Sequence, residues 1–201
     1  MIPRIFIFEG LDGCGKTTQC QNLKNYLNDK GIKSLIVREP GGTICGEYIR
    51  SWLKSDKNIS PENQLLLFCL ARKEICNYTI NTILNTDNTI ILDRFMLSTY
   101  CYQGVNLSSD IIKEYHKHIC PQCFSIMRMA KLIYLDITAE EAIKRINSRG
   151  IDSNDPFENI DYLKKVRDLY LRKIDDNLDI IVDGSSSQTD VWNKIKDKLN
   201  F

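Results

Sequence analysis

Residues 4–17 read RIFIFEGLDGCGKT, and this stretch decides the fold of the 201-residue chain. The apolar run at 4–8 is typical of a strand that is buried on both faces. Residues 10–17 satisfy the pattern G-x-x-x-x-G-K-[ST], and helical spacing follows at 16–28. In this strand–loop–helix order, backbone N–H groups converge on phosphate oxygens at the helix N-terminus. The stretch therefore predicts a P-loop that binds the phosphates of a nucleotide.

Apolar runs elsewhere in the chain predict four more strands. They lie at 34–37, 89–92, 132–135 and 180–182. Helical spacing is found between them, at 43–54, 61–85, 96–102, 108–118, 159–175 and 188–199, and in a helix opened by Thr138. Strands that alternate with helices predict an α/β fold, here the three-layer P-loop NTPase fold with a five-stranded parallel sheet flanked by helices. We expect one domain over residues 1–201, with a short polar lid at about 149–158.

The composition excludes several classes of function. The chain has 27 Lys and Arg against 26 Asp and Glu, a formal net charge of +1. A chain so balanced has no general electrostatic reason to bind a nucleic-acid polymer or a membrane surface. The first apolar run is too short for a signal peptide, and no run is long enough to span a bilayer. We therefore expect a cytoplasmic protein with small-molecule partners.

The eight cysteines are expected to stay reduced and to act as small apolar side chains. Cys120 and Cys123 form a lone CxxC. A zinc site needs a second pair of ligands, and His116 and His118 are the only histidines. The sequence by itself therefore argues against a metal or redox centre here.

The P-loop motif assigns roles to individual residues. Lys16 would bridge the β- and γ-phosphates of a nucleotide, and Thr17 would hold Mg²⁺ through its hydroxyl. Asp93 ends a buried strand, so it either holds Mg²⁺ as well or caps the following helix. The nucleotide-binding residues of the loop are predicted to be Gly10, Leu11, Asp12, Gly13, Cys14, Gly15, Lys16, Thr17 and Thr18.

Four blocks of the sequence resemble thymidylate kinases and keep the order of that family. They are FEGLDGCGKTTQ at 8–19, REPGGT at 38–43, FCLAR at 68–72 and DRFMLSTYCYQG at 93–104. The last two resemble the F-x-x-A-R and DR-x-x-x-ST-x-x-YQG patterns of the bacterial members. The resemblance implies an ATP- and Mg²⁺-dependent nucleoside monophosphate kinase that phosphorylates dTMP to dTDP on the route to dTTP.

The resemblance also implies the roles of side chains. Phe68 would stack on the thymine ring and Arg72 would reach its O4. Tyr102 would lie under the sugar, where a 2′-hydroxyl would clash. The implied dTMP-binding residues are Asp12, Arg38, Pro40, Phe68, Arg72, Arg94, Ser98, Thr99, Tyr102 and Gln103, and the implied catalytic residues are Asp12, Lys16, Arg94 and Arg149.

Three of these side chains could instead have a purely structural role. Phe68 could belong to the core, because it lies on an apolar helical face. Arg72 could be a solvated helix residue, and Tyr102 could be a core aromatic.

The predicted lid departs from the family pattern. Where bacterial members have D-R-x-E, this chain has Asp-Pro-Phe-Glu at 155–158, and its P-loop also lacks arginine. The candidates for contacting the γ-phosphate are therefore Arg145 and Arg149, on the helix that leads into the lid. An exposed helix face is the alternative for both.

Two other functions remain open on the sequence. One is a kinase with a broader range of deoxynucleotide acceptors, since a thymine methyl in an apolar pocket contributes only about 1–3 kcal/mol of discrimination. The other is a regulatory module that binds a nucleotide without transferring its phosphate. The resemblance further implies a homodimer, paired through the helices at 43–54 and 61–85.

Overall fold

The sheet of the computed structural model has five parallel strands. The structure describes residues 4–55, 58–148, 159–175 and 178–199. The strands are β1 (Ile5–Gly10), β2 (Ser34–Arg38), β3 (Thr89–Asp93), β4 (Lys131–Asp136) and β5 (Ile180–Asp183), in the spatial order β2-β3-β1-β4-β5. All four strand pairs are parallel, as the alternation of strands and helices predicts.

Nine α-helices are found in the described part of the chain. They are α1 (Lys16–Asp29), α2 (Ile44–Ser55), α3 (Pro61–Asn85), α4 (Met96–Tyr102), α5 (Ser109–Ile119), α6 (Gln122–Met129), α7 (Ala139–Asn147), α8 (Ile160–Lys173) and α9 (Gln188–Leu199). Eight of them were predicted to within a few residues. Helix α6 and a 3₁₀ turn at Gln103–Val105 were not predicted.

The alternating side chains of β1 separate two apolar clusters. Phe6 and Phe8 pack in one cluster, which includes residues of α1 and α9, and Ile5 and Ile7 pack in the other, which includes residues of α3, α5 and α6. Since successive side chains of a strand point to opposite faces, the sheet is the middle layer of three. The predicted α/β three-layer fold is confirmed.

The carboxyl ends of β1, β2 and β3 lie side by side. Phe8 pairs with Asp93, and Arg38 pairs with Asp93 from the other side. Ligands of parallel sheets bind beyond these ends. The polar residues that follow the three strands therefore meet at one edge.

Among the residues that the structure describes, none of the helices combines the length and the apolar character that are needed to span a bilayer.

Candidate active site

The loop between β1 and α1 has a backbone that requires glycine. Gly13 and Gly15 have φ angles of 83° and 96°, in the left-handed region that L side chains rarely adopt. At Gly13 there is also no room, because a Cβ would lie 2.8 Å from the carbonyl oxygen of Ala142. The glycines of the motif thus allow the tight course of the loop.

The N-terminus of α1 lacks a side-chain cap. Its N-cap residue, Gly15, makes no side-chain hydrogen bond, and the first turn of α1 has no acidic residue. Four later helices do begin with a polar side chain that accepts a backbone N–H: Ser60, Ser108, Thr138 and Asn159. The first N–H groups of a helix have no partner within it, and its dipole favours negative charge there. This end of α1 is therefore built to receive an anion.

Lys16 is folded back onto its own loop. Its Nζ donates to the carbonyl oxygens of Gly10 at 3.0 Å and Leu11 at 2.7 Å, and the residue is buried. Neutral carbonyls are weaker partners for an ammonium group than phosphate oxygens. The side chain therefore lies beside the loop with a charge that a phosphate would satisfy better.

Thr17 and Asp93 lie in direct contact. The hydroxyl of Thr17 donates to Oδ2 of Asp93 at 2.6 Å. The alternative role of Asp93, capping the next helix, is wrong, because the N-cap of α4 is Phe95 and has no side-chain hydrogen bond. A hydroxyl and a carboxylate are oxygen ligands of the kind that Mg²⁺ prefers, so the pair fits the predicted ion. Their role as its ligands stays a prediction.

Arg94 connects the P-loop with α4. Its NH2 donates to Oδ1 of Asp12 at 2.8 Å, and its NH1 donates to Oγ of Ser98 at 2.9 Å. The guanidinium also lies over the ring of Tyr102, 5.0 Å from the centroid. Its φ of 73° makes Arg94 the one non-glycine residue with positive φ among those described. Strain of this kind is concentrated at functional sites.

Asp12 is held in its ionised form. Desolvation opposes ionisation, but the charges of Arg94 and Lys16 outweigh it and lower the pKa of Asp12 below its ordinary value. The hydroxyl of Tyr102 donates to Oδ2 of Asp12 at 3.2 Å. A carboxylate with so low a pKa is a poor general base near neutral pH but a good hydrogen-bond acceptor. The alternative of Tyr102 as a purely core aromatic therefore fails.

Glu9 is a buried residue of the site to which sequence reasoning assigned no role. It accepts hydrogen bonds from the N–H groups of Phe95 and Ser98, from the hydroxyl of Ser98 at 2.5 Å and from that of Tyr170 at 2.9 Å. Burial raises its pKa, although these bonds and the charge of Arg94 oppose the shift. Glu9 thus positions the start of α4. An acidic residue at the end of an apolar strand was the signal available in the sequence.

Arg72 lies on the other side of the site and is 1% exposed. It forms an ion pair with Glu39, and it donates to Oγ1 of Thr99 at 2.7 Å and to Nε2 of His116 at 2.5 Å. The alternative of a solvated helix residue is wrong. Burial raises the pKa of Glu39 to about 7, against the lowering effect of Arg72. Glu39 lies in the REPGGT block at 38–43, but the sequence alone assigned it no role.

Phe68 lies one helical turn before Arg72 on α3. It is half-buried, and it belongs to neither of the two apolar clusters of the described side chains. The core alternative is therefore not supported. Gln103 is buried nearby, and its Nε2 donates to Oε1 of Gln64 at 3.5 Å. Helix α3 thus carries, at successive turns, the polar Gln64, the aromatic Phe68 and the buried guanidinium of Arg72.

Positive charge accumulates beyond β2. Arg38 is exposed at the end of that strand, and Pro40 follows it. NH1 of Arg50 donates to the carbonyl oxygen of Pro40 at 3.0 Å. Partial burial lowers the pKa of Arg50, and the charges of Arg38 and Arg94 lower it further. The repulsion between these guanidinium groups would be relieved by a bound anion, so their proximity indicates an anion-binding site. Arg50 was missed because no motif includes it.

Arg145 is fully engaged by neighbouring groups. Its guanidinium donates to Oε1 of Glu141 at 2.7 Å and to the carbonyl oxygens of Gly184 at 2.9 Å and Ser185 at 3.0 Å. A contact with the γ-phosphate would have to replace one of these bonds, so this role stays a prediction. The other candidate, Arg149, lies with the predicted lid at 149–158 outside the described residues.

The site therefore brings together most of the predicted residues. The loop residues 10–18 lie at the N-terminus of α1, and Arg94, Ser98 and Tyr102 connect them with α4. Thr99 of α4 accepts a hydrogen bond from Arg72 of α3. The arrangement can bind two anionic groups next to each other, one at α1 and one near Arg38, Arg50 and Arg94.

Comparisons with known proteins agree with this arrangement. The family model of thymidylate kinase matches residues 8–195. The chain is 37% identical over 189 residues to the thymidylate kinase of Caldanaerobacter subterraneus subsp. tengcongensis, covering 92% of this chain and 88% of that protein.

Two further relatives also align with most of the chain. The thymidylate kinase of Chlorobaculum tepidum is 37% identical over 202 residues, covering 94% of this chain and 92% of that protein. The probable thymidylate kinase of Archaeoglobus fulgidus is 32% identical over 189 residues, covering 94% and 90%. Family match, motifs and geometry agree, and the chain belongs to the thymidylate kinase family.

Proposed function

We propose that this protein transfers the γ-phosphate of ATP to dTMP, giving ADP and dTDP. The observation that carries the proposal is the position of Arg94. This residue binds Asp12 of the P-loop and Ser98 of α4 at the same time. One guanidinium therefore contacts both the P-loop, where the donor nucleotide would bind, and α4, where the acceptor would bind. Such a contact is expected of an enzyme that holds the donor and acceptor phosphates in line.

The donor nucleotide would be bound by the N-terminus of α1. Backbone N–H groups around Gly15 receive its phosphates, and Lys16 exchanges the carbonyls of Gly10 and Leu11 for the β- and γ-phosphates. The gain is a charge-assisted hydrogen bond in a site from which water is partly excluded. Thr17 and Asp93 would hold Mg²⁺, which supplies additional positive charge to the phosphates when bound.

The acceptor phosphate would lie among Arg38, Arg50 and Arg94. Three guanidinium groups offset the repulsion between the acceptor phosphate and the γ-phosphate, which otherwise opposes their approach. The low pKa of Asp12 favours a carboxylate that accepts a hydrogen bond from the 3′-hydroxyl of the sugar rather than one that removes a proton. Catalysis would then consist mainly of positioning and of charge stabilisation.

The thymine ring would lie on Phe68, with Arg72 near its O4. Arg72 is positioned by Glu39 and Thr99, which leaves it little freedom to turn. Tyr102 is fixed by its hydrogen bond to Asp12, so its ring would crowd a 2′-hydroxyl. These contacts support a deoxyribonucleotide with a pyrimidine base as the acceptor.

The proposal predicts which acceptors stimulate release of ADP. With ATP and Mg²⁺, dTMP is expected to stimulate strongly and dUMP less, because the methyl contributes only about 1–3 kcal/mol. UMP is expected to be nearly inactive because its 2′-hydroxyl meets Tyr102. ADP release is measured with each nucleotide added singly, and dCMP and dGMP serve as further acceptors.

The outcomes of this assay separate the alternatives. Equal use of several deoxynucleotides would replace dTMP with a broader acceptor range. No stimulation by any acceptor, with ATP binding intact, would indicate a regulatory module. Preferential use of UMP would contradict the role of Tyr102.

A homodimer is the proposed assembly, and an exposed apolar surface supports it. Ile44, Tyr48 and Trp52 recur every four residues on α2 and are 83%, 75% and 53% exposed. On α3, which packs against α2, Leu66 and Leu70 are also exposed. Contiguous apolar patches of this kind mark interaction sites, and a second copy would cover this one. The cytoplasmic location expected from the sequence stays a prediction.

Trp52→Glu is expected to convert the dimer to a monomer, because a carboxylate would be buried without a partner in a self-complementary interface. Light scattering coupled to size-exclusion chromatography measures the mass. Leu171→Glu is the matched control, since Leu171 is an exposed leucine of α8 on another surface. A wild-type mass equal to that of the single chain would refute the dimer.

A further inference from the structure

Three metal-ligating side chains meet next to Arg72. Cys69 on α3, His116 on α5 and Cys120 directly after α5 place their ligand atoms within 4.8 Å of one another. All three residues are buried. The second pair of ligands that the CxxC lacked in the sequence thus comes from two other helices.

Cys123, the second cysteine of the CxxC, is the candidate for a fourth ligand. It is buried in the first turn of α6, three residues after Cys120. The thiol of Cys123 donates to Sδ of Met96 at 3.2 Å, a weak bond that a metal–sulfur bond would replace. Three sulfurs and one imidazole are a ligand set of structural zinc sites, and two of the sulfurs have the CxxC spacing.

His116 already has the tautomer of a metal ligand. Its Nδ1 lies 2.7 Å from the carbonyl oxygen of Ile112. A carbonyl only accepts, so the proton is on Nδ1 and the lone pair is on Nε2. Metal-binding histidines typically donate their other ring N–H to a carbonyl or carboxylate in this way. The other histidine, His118, is exposed and is not part of the cluster.

Arg72 contacts one of the three side chains of this cluster. Its NH1 donates to Nε2 of His116, the nitrogen that a metal would bind. A guanidinium and a metal ion therefore compete for one lone pair. The guanidinium also provides charge balance, because a divalent ion with three thiolates has a net charge of −1.

We propose that Cys69, His116, Cys120 and Cys123 form a binding site for one thiophilic divalent metal ion such as Zn²⁺. Soft sulfur ligands and imidazole select this class over Mg²⁺, which prefers the oxygens near the P-loop. When the ion binds, NH1 of Arg72 leaves Nε2 and keeps its neighbours Glu39 and Thr99. The site is separate from phosphate transfer, so its test does not depend on the proposed function.

The experiment titrates the fully reduced, metal-free protein with Co²⁺ and then with Zn²⁺. We expect one Co²⁺ per chain, an intense sulfur-to-cobalt charge-transfer absorption, and its loss when Zn²⁺ displaces Co²⁺. Cys69→Ser and Cys120→Ser are expected to weaken binding at least about 100-fold, since the loss of an outer-shell partner alone costs 10–100-fold. Cys45→Ser is the control, because Cys45 lies on α2 outside the cluster.

X-ray absorption spectroscopy of the Zn²⁺-loaded wild type keeps the test decisive if a serine variant does not fold. The expected coordination shell of the Zn²⁺ ion has three sulfur ligands and one nitrogen ligand. A shell of only nitrogen and oxygen, no charge-transfer absorption in the reduced wild type, or unchanged binding by folded Cys69→Ser and Cys120→Ser would overturn the proposal.

Discussion

Lys16→Ala is expected to lower kcat for phosphate transfer by roughly 10²–10³-fold or more, the loss found when one preorganised donor to a transition state is removed. The ammonium of Lys16 lies beside the P-loop and donates to the neutral carbonyls of Gly10 and Leu11 and to the Cys14 sulfur. In the proposed reaction its charge is satisfied by the phosphates. Its removal therefore affects the reacting state more than the empty protein.

The rate of ADP formation with saturating ATP and dTMP measures this effect. Lys198→Ala is the matched control, because Lys198 is an exposed lysine of α9. Thermal unfolding of both variants shows whether the fold is kept. A folded Lys16→Ala protein with near-normal turnover would refute the assignment of the P-loop.

Arg94→Ala and Arg94→Gly are expected to lower kcat/KM for dTMP about equally, by roughly 10³-fold or more, because both remove the guanidinium that we propose binds the phosphate of the acceptor. Their stabilities are expected to differ. Residue 94 has a φ of 73°, which costs an L-residue with a Cβ roughly 1–2 kcal/mol and glycine almost nothing. Arg94→Gly should therefore be the more stable variant by about 1 kcal/mol.

Steady-state kinetics and thermal unfolding of the two variants test these expectations together. For a domain of this size, about 1 kcal/mol corresponds to a difference in Tm of roughly 2–4 °C. Ser125→Ala is the control for the effect of a substitution outside the site. Ser125 lies on α6, where its Oγ accepts a hydrogen bond from Arg128. Equal stabilities would contradict the strain, and substantial activity of Arg94→Gly would contradict the role of the guanidinium.

The regular part of the fold could be predicted from local patterns. The strands β1 and β3 are buried throughout and consist mainly of apolar residues, and α3 begins at Pro61 after the cap Ser60, as its sequence indicates. Helix α6 was missed because it is short and begins directly after Pro121, where a turn was the simpler interpretation. Its position depends on packing against α3, which no local pattern encodes.

The candidate site was predictable where a motif assigns a role to its residues. Lys16, Thr17 and Arg94 lie in quoted blocks, and the structure brings them to the same edge of the sheet. Glu9, Arg50 and Tyr170 were missed for different reasons. Glu9 appears as one acid in an apolar run, whereas Arg50 and Tyr170 reach the site from helices whose spacing does not distinguish a site face from a surface face.

The sequence by itself determined the order of strands and helices, the phosphate loop and the family, because these depend on periodicity and on contiguous motifs. Only the tertiary structure decided which side chains from distant segments meet. The contacts of Arg72 with Glu39, Thr99 and His116 join four separate segments of the chain, and Cys69 of α3 meets Cys120, which follows α5. Such contacts arise from the packing of helices against a sheet, whose geometry is set by the whole core and not by any local stretch.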